Sequence, residues 1–225
     1  MNSTESILRL DGLSEQAAAC QSAETQPIPP PMLLALCASF GSESGWRADV
    51  LAGAATGAAW LLMRFDAAQG RLVLQTLAAD AHSAEPALLV LKLVPDMSGA
   101  LAHIAWDRVY AAYQEAVHAA SEGLGVSADE LGQALLLDVR RAGVFENATA
   151  TLPGASWRDP AQVGRWAAEL PLTREVIVYC IYGHEVGRAT ALRLRAAGIS
   201  ARYLHGGIDA WTIAGRPLQA RGEQP

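Results

Sequence analysis

The chain has 225 residues, 51% of them hydrophobic, and a formal net charge of −6 at pH 7. That apolar content excludes a chain too polar to bury a core, and the length fits one large domain or two small ones. The acidic balance excludes the basic stripe that nucleic-acid binding needs, so any anion site has to be built locally from backbone N–H groups.

Residues 1–31 are polar and end in Pro27-Ile28-Pro29-Pro30-Pro31, which reads as a flexible, Pro-rich leader. They lack the basic start and apolar run of a secretory signal. The stretches Met32–Phe40 and Ala52–Met63 are too short to span a bilayer. Cys20, Cys37 and Cys180 are too few and odd in number for a disulfide framework, so the expectation is a soluble, cytoplasmic protein. Cys20 and Cys37 are expected simply to fill core.

From Met32 the pattern Leu33, Leu34, Leu36, Cys37, Phe40 predicts a buried helix stopped by Gly41 to Gly45. Ala59–Phe65 and Leu72–Leu77 flank a Gly-containing loop and predict a β-hairpin, with Leu88–Val94 as a further strand. A helix is expected over Ser98–Ser121 from the spacing of Leu101, Ile104, Val109, Ala112, Tyr113, Ala116 and Val117. These segments predict a small α+β or mainly helical domain over 32–122, in which no motif stands out. His82, His103, His118 and His205 have no metal-ligand spacing, and no metal or cofactor is expected.

After Gly125 the texture changes. Ser127-Ala128-Asp129-Glu130 has the form of a capping box and predicts a helix start and a second domain over 127–225. The following segments alternate: strand Ala134–Val139, helix Arg158–Glu169, strand Glu175–Cys180, helix Val186–Ala197, strand Ala201–Leu204. Alternation of this kind implies an α/β fold with a parallel sheet flanked by helices. Val176-Ile177-Val178-Tyr179 is the continuous apolar run of a strand covered on both faces, and Cys180 stands at its C-terminal end, where open α/β sheets collect ligands. The residues Ile181, Tyr182, Gly183, His184, Glu185 and Val186 then lead into a helix. Loop N–H groups and the positive end of that helix favour an anionic sulfur, and such surroundings commonly lower a cysteine pKa from about 8.5 by one to several units. The nucleophile candidate is therefore Cys180, cradled by 181–186. Arg188, in the first turn of the helix, either reaches an anion or is solvated.

Leu137-Asp138-Val139-Arg140, Pro153-Gly154-Ala155, Val178-Tyr179-Cys180, Gly183, Leu204-His205-Gly206-Gly207…Trp211 and Ala214-Gly215-Arg216-Pro217-Leu218 occur in the order and spacing of the rhodanese family, which residues 127–220 resemble. The resemblance implies a sulfurtransferase: Cys180 accepts a sulfane sulfur from a small anionic donor such as thiosulfate, or from a persulfide, and passes it to a thiol or cyanide. It also implies that Asp138 and Arg140 brace the active loop. Related phosphatases and arsenate reductases carry a loop one residue longer closed by arginine, and the six residues from Cys180 to Glu185 favour sulfur transfer over that chemistry. Where many active relatives place Arg, Lys or Ser, this chain has His184-Glu185-Val186, and a carboxylate there opposes an anionic donor. The His-Glu-Val loop is also similar to rhodanese domains that accompany chromate-resistance proteins. The alternative from a different class is a weakly catalytic module that senses sulfide or oxidants, or docks a protein partner through the N-terminal domain.

Overall fold

The computed structural model describes residues 12–81, 83 and 86–222; His82 and the first eleven residues of the expected leader lie outside the described residues. The chain divides into two compact units, one ending at Ala116 and the other beginning at Val117, with Ala67–Arg71 counted in the second.

In the N-terminal unit, residues expected to belong to a flexible leader are built into the fold. Helix α1 (Leu13–Ala19) is followed by Cys20, which is fully buried and accepts the Val90 N–H at 3.2 Å. Helix α2 (Pro30–Phe40) begins on two prolines, which the first helical positions tolerate because their N–H groups would be unbonded anyway. Gly41 closes it, but 41–45 is not simply a stop. The Ser42 hydroxyl accepts the Gly45 N–H at 2.9 Å and caps a further helix, α3 (Glu43–Ala54), which apolar periodicity did not reveal. The expected hairpin is present as β1 (Trp60–Asp66) and β2 (Arg71–Leu77), and β3 (Leu89–Lys92) pairs antiparallel with β1, giving the order β2-β1-β3. The single helix expected over 98–121 is two, α4 (Ser98–Ala102) and α5 (Trp106–Ala120). The break has a tertiary cause: the His103 carbonyl accepts the Ser22 N–H, the Ala105 N–H donates to the Cys20 carbonyl, and Ile104 bridges to Gln21. Three residues are thus recruited into extended pairing that local propensity favours less.

The second unit is an α/β layer structure. Its sheet has five parallel strands in the order β4-β9-β8-β5-β7: β4 (Gly125–Val126), β5 (Leu135–Asp138), β7 (Ser156–Trp157), β8 (Val176–Tyr179) and β9 (Ala201–Leu204). Two short strands, β6 (Ala150–Thr151) and β10 (Gln219–Ala220), pair antiparallel apart from it. The helices are α6 (Ala142–Glu146), α7 (Val163–Trp166), α8 (Glu185–Ala196) and α9 (Gly207–Ile213). All four residues of β8 are buried, and alternation sends Val176 and Val178 into one core with Trp166, Ala191 and Leu194. Ile177 and Tyr179 enter the other with Val126, Leu152 and Trp211. Cores on both faces leave the C-terminal edge of β8 as the place where the chain emerges, and Cys180 is the residue that emerges.

Two local expectations are corrected. The Ser127–Glu130 box forms, with the Glu130 carboxylate accepting the Ser127 N–H at 2.9 Å, but it closes one turn and no helix follows. Leu131 and Ala134 pack against the Ile177–Trp211 core and the chain straightens into β5. The helix expected over Arg158–Glu169 is broken into α7 between two single 3-10 turns, because Asp159 caps Ala161 and its carbonyl accepts the Trp166 indole N–H at 2.8 Å.

Candidate active site around Cys180

Cys180 sits between the end of β8 and the start of α8, and is 6% exposed. Burial pushes its thiol up from the ordinary cysteine value. Four backbone N–H groups, those of Gly187, Gly183, His184 and Tyr182, lie close around the sulfur and pull the other way. The net direction is upward, which corrects the expected lowering: removal from water outweighs the N–H cradle in the free protein. The resting side chain is a thiol with the donors for an anion already aimed at it.

The loop carrying those donors is fixed by backbone contacts. Gly183 has φ of 68°, and a Cβ there would lie 2.7 Å from the Leu204 carbonyl oxygen and 2.8 Å from the Gly206 nitrogen, so the loop approaches the β9–α9 turn as closely as a residue without a side chain permits. From that turn the N–H groups of Ile208 and Asp209, in the first turn of α9, donate to the Cys180 and Ile181 carbonyls at 3.0 Å each. The Thr190 hydroxyl donates to the Val186 carbonyl at 2.7 Å.

The remaining expected site residues are distributed as follows. Ile181 and Val186 are half-buried, while Tyr182 (54% exposed) and His184 stand outward with ring centroids 5.7 Å apart. Glu185, the first residue of α8, is 4% exposed, so the helix begins one residue earlier than expected and draws a carboxylate inward. Arg188 is held by the protein's own groups. Its Nε donates to the Gly183 carbonyl at 3.0 Å, its Nη1 donates to the buried Ser121 hydroxyl at 3.2 Å, and the guanidinium lies 4.3 Å over the Tyr203 ring. His118 lies 6.1 Å from His184, and burial, with Arg188 acting in the same direction and Glu185 against it, holds its imidazole below the ordinary value. Among the described residues no group of three or more His, Cys, Asp or Glu side chains is arranged to hold a metal ion.

Asp138 and Arg140 form a buried ion pair at the end of β5, in which Arg140 Nε reaches Oδ1 at 3.0 Å and Oδ2 at 2.9 Å. The Tyr179 hydroxyl donates to Asp138 Oδ2 at 3.0 Å and accepts the Leu152 N–H at 3.1 Å, and Arg140 Nη2 donates to the Ala150 carbonyl at 2.9 Å. Burial, then the Asp138 charge, raise the Tyr179 phenol and keep it a donor. The network ties the end of β5 to the residue before Cys180 and to the β6 segment; its bonds run to Tyr179, not to 181–186.

The geometry is that of a sulfur held in a ring of amides at a strand–loop–helix junction. Residues 127–214 match the family model of the rhodanese-like domain. Solved structures similar to this rhodanese-like domain include a rhodanese-related protein from Thermoplasma volcanium, at 19% identity over 42% of this chain and 96% of that one, with a TM-score of 0.38. A thiosulfate sulfurtransferase from Pseudomonas aeruginosa is 24% identical over 42% of this chain and 19% of its own, with a TM-score of 0.36. A Rhodopseudomonas palustris protein described as a possible tyrosine phosphatase is 18% identical over 48% of this chain and 92% of its own, with a TM-score of 0.40.

Sequence reasoning missed the outer layer of the site, namely Ser121, Thr190 and the first turn of α9. The one signal that pointed there was Gly206-Gly207, two glycines at the start of a helix whose first-turn N–H groups face the loop.

Proposed function

We propose that the rhodanese-like domain is a sulfurtransferase that carries a sulfane sulfur as a persulfide on Cys180. The observation that carries this reading is the buried Cys180 at the β8–α8 junction, in a loop packed so closely on the β9–α9 turn that its backbone N–H groups surround the sulfur. In the first step the Cys180 thiol loses its proton to solvent, and the thiolate attacks the outer sulfur of the donor. A new S–S bond forms, the donor's own S–S bond breaks, and its electron pair leaves with sulfite or with a thiolate. In the second step a thiol or cyanide acceptor attacks the terminal sulfur, and Cys180 leaves as thiolate. The cradle holds the negative charge in both steps without reorganising, which is where fixed dipoles are most effective. Asp138 and Arg140 act through Tyr179, setting the strand end from which Cys180 projects.

The charge of the loop bears on the donor. Between Cys180 and Gly187 there is no Lys or Arg, Glu185 is drawn inward, and Arg188 is committed to a carbonyl, a hydroxyl and a ring. A dianion such as thiosulfate meets amide dipoles and the Glu185 carboxylate but no Lys or Arg of the loop, so a persulfide on an organic or protein thiol is the donor this loop fits better. Steady-state turnover of thiosulfate and of glutathione persulfide by the full chain tests this: a higher kcat/KM for the persulfide is expected, and equal or higher use of thiosulfate contradicts it.

A further inference from the structure

In a trans peptide the C=O and N–H point in opposite directions, so whatever grips the carbonyl of a peptide aims its amide the other way. The His184 N–H, on the side of the sulfur, belongs to the same peptide as the Gly183 carbonyl, which accepts from Arg188 Nε at 3.0 Å. Likewise the Tyr182 and Gly187 N–H groups share peptides with the Ile181 and Val186 carbonyls, held by the Asp209 N–H and the Thr190 hydroxyl. Three of the cradle's amides are therefore anchored from behind, and of these three anchors Arg188 is the charged one.

We propose that Arg188 is a positioning residue for Cys180 that acts through the Gly183–His184 peptide and not on the sulfur donor. A guanidinium on the carbonyl polarises the peptide and strengthens the opposite N–H as a donor, as in any chain of hydrogen bonds. The planar fork is itself fixed, with Nη1 on the Ser121 hydroxyl and its face on Tyr203, so the charge stays behind the peptide and leaves the mouth of the loop. The chain thereby places a positive charge on the carbonyl side of a peptide whose N–H side faces the sulfur, without offering it to an anionic ligand. The proposal rests on Cys180 being the nucleophile of the domain, but its test reads the thiol itself and requires no sulfur transfer.

The experiment is the pH profile of Cys180 alkylation by iodoacetamide in the full chain, followed by mass spectrometry, for wild type, Arg188→Gln and Arg188→Lys. Arg188→Gln is expected to displace the profile to higher pH and slow alkylation at pH 7 roughly three- to tenfold, because the neutral amide polarises the peptide less. Arg188→Lys, which keeps the charge and loses the fork, recovers at least half of that loss. A Gln profile superposed on wild type overturns the proposal, as do Gln and Lys variants slowed equally. A second readout uses the wild-type chain alone and decides if a variant fails to fold. The Arg188 Nε–H resonance moves with the same midpoint as Cys180 reactivity, and a resonance flat across that range overturns the proposal.

Discussion

Gly207→Ala removes the contact between α9 and the active loop, and its cost can be worked out against an internal control. Gly207 has φ of 58°, and a Cβ there would lie 2.4 Å from both the Cys180 and the Ile181 carbonyl oxygens, which are backbone atoms held in place. Gly198, just after α8, has φ of 84° with nothing within 4 Å of the added carbon. Both substitutions incur the left-handed strain of an L-residue, roughly 1–2 kcal/mol. Only Gly207→Ala must also displace the Ile208 and Asp209 N–H groups from their carbonyls, at about 1 kcal/mol each. The expected losses are therefore about 3–4 kcal/mol for Gly207→Ala and about 1–2 kcal/mol for Gly198→Ala. Urea denaturation of the two variants measures the difference, and Cys180 alkylation measures its consequence: slower in Gly207→Ala, where the anchor of the Tyr182 amide is lost, and unchanged in Gly198→Ala. Equal destabilisation of the two, or wild-type alkylation in Gly207→Ala, would refute the role given to α9.

Asp138→Ala leaves the Arg140 guanidinium buried without its partner and is expected to cost roughly 3–5 kcal/mol in urea denaturation, whereas a loss under about 1 kcal/mol would mean the pair is not buried as described. Because burial raises the Cys180 thiol, alkylation of the wild type should keep climbing above pH 8.5 as the thiolate fills in, and a plateau below pH 7 would contradict that direction. Burial also raises Cys20, from 9.0 to about 11, so the folded state holds that proton more tightly than the unfolded one. Its stabilisation is complete below pH 9 and is lost as pH rises toward 11; Cys20→Ala should flatten that decline, and an unchanged slope would remove Cys20 as its source. Glu185→Gln, which removes the carboxylate beside the loop, should raise thiosulfate kcat/KM more than that for an organic persulfide, and a parallel change in both would show that Glu185 does not select the donor.

The parts of the fold written in local pattern were legible. The run Val176–Tyr179 reads as a strand covered on both faces and Val186–Ala197 as the helix after it in an alternating α/β pattern, so the junction that holds Cys180 followed directly. What escaped was decided by partners distant in the chain. The helix expected across 98–121 breaks because Cys20 and Ser22 pair with residues 103–105, and the capping box at Ser127 closes a turn because Leu131 is needed in a core with Ile177 and Trp211. At the site the same rule applies. A strand–loop–helix junction implied the ring of amides, but not that burial would outweigh it at the thiol. Nor does any local signal bring Arg188 together with Ser121 and Tyr203, residues brought in from other parts of the chain.

Uptake of a sulfane sulfur by Cys180 is read by intact-protein mass spectrometry after exposure to thiosulfate or glutathione persulfide. The expected result is a gain of roughly 32 Da that maps to the Cys180 peptide, is absent in Cys180→Ser and is discharged by an acceptor thiol. A wild-type chain that gains no sulfur from either donor, or a Cys180→Ser chain that gains as much, would contradict it.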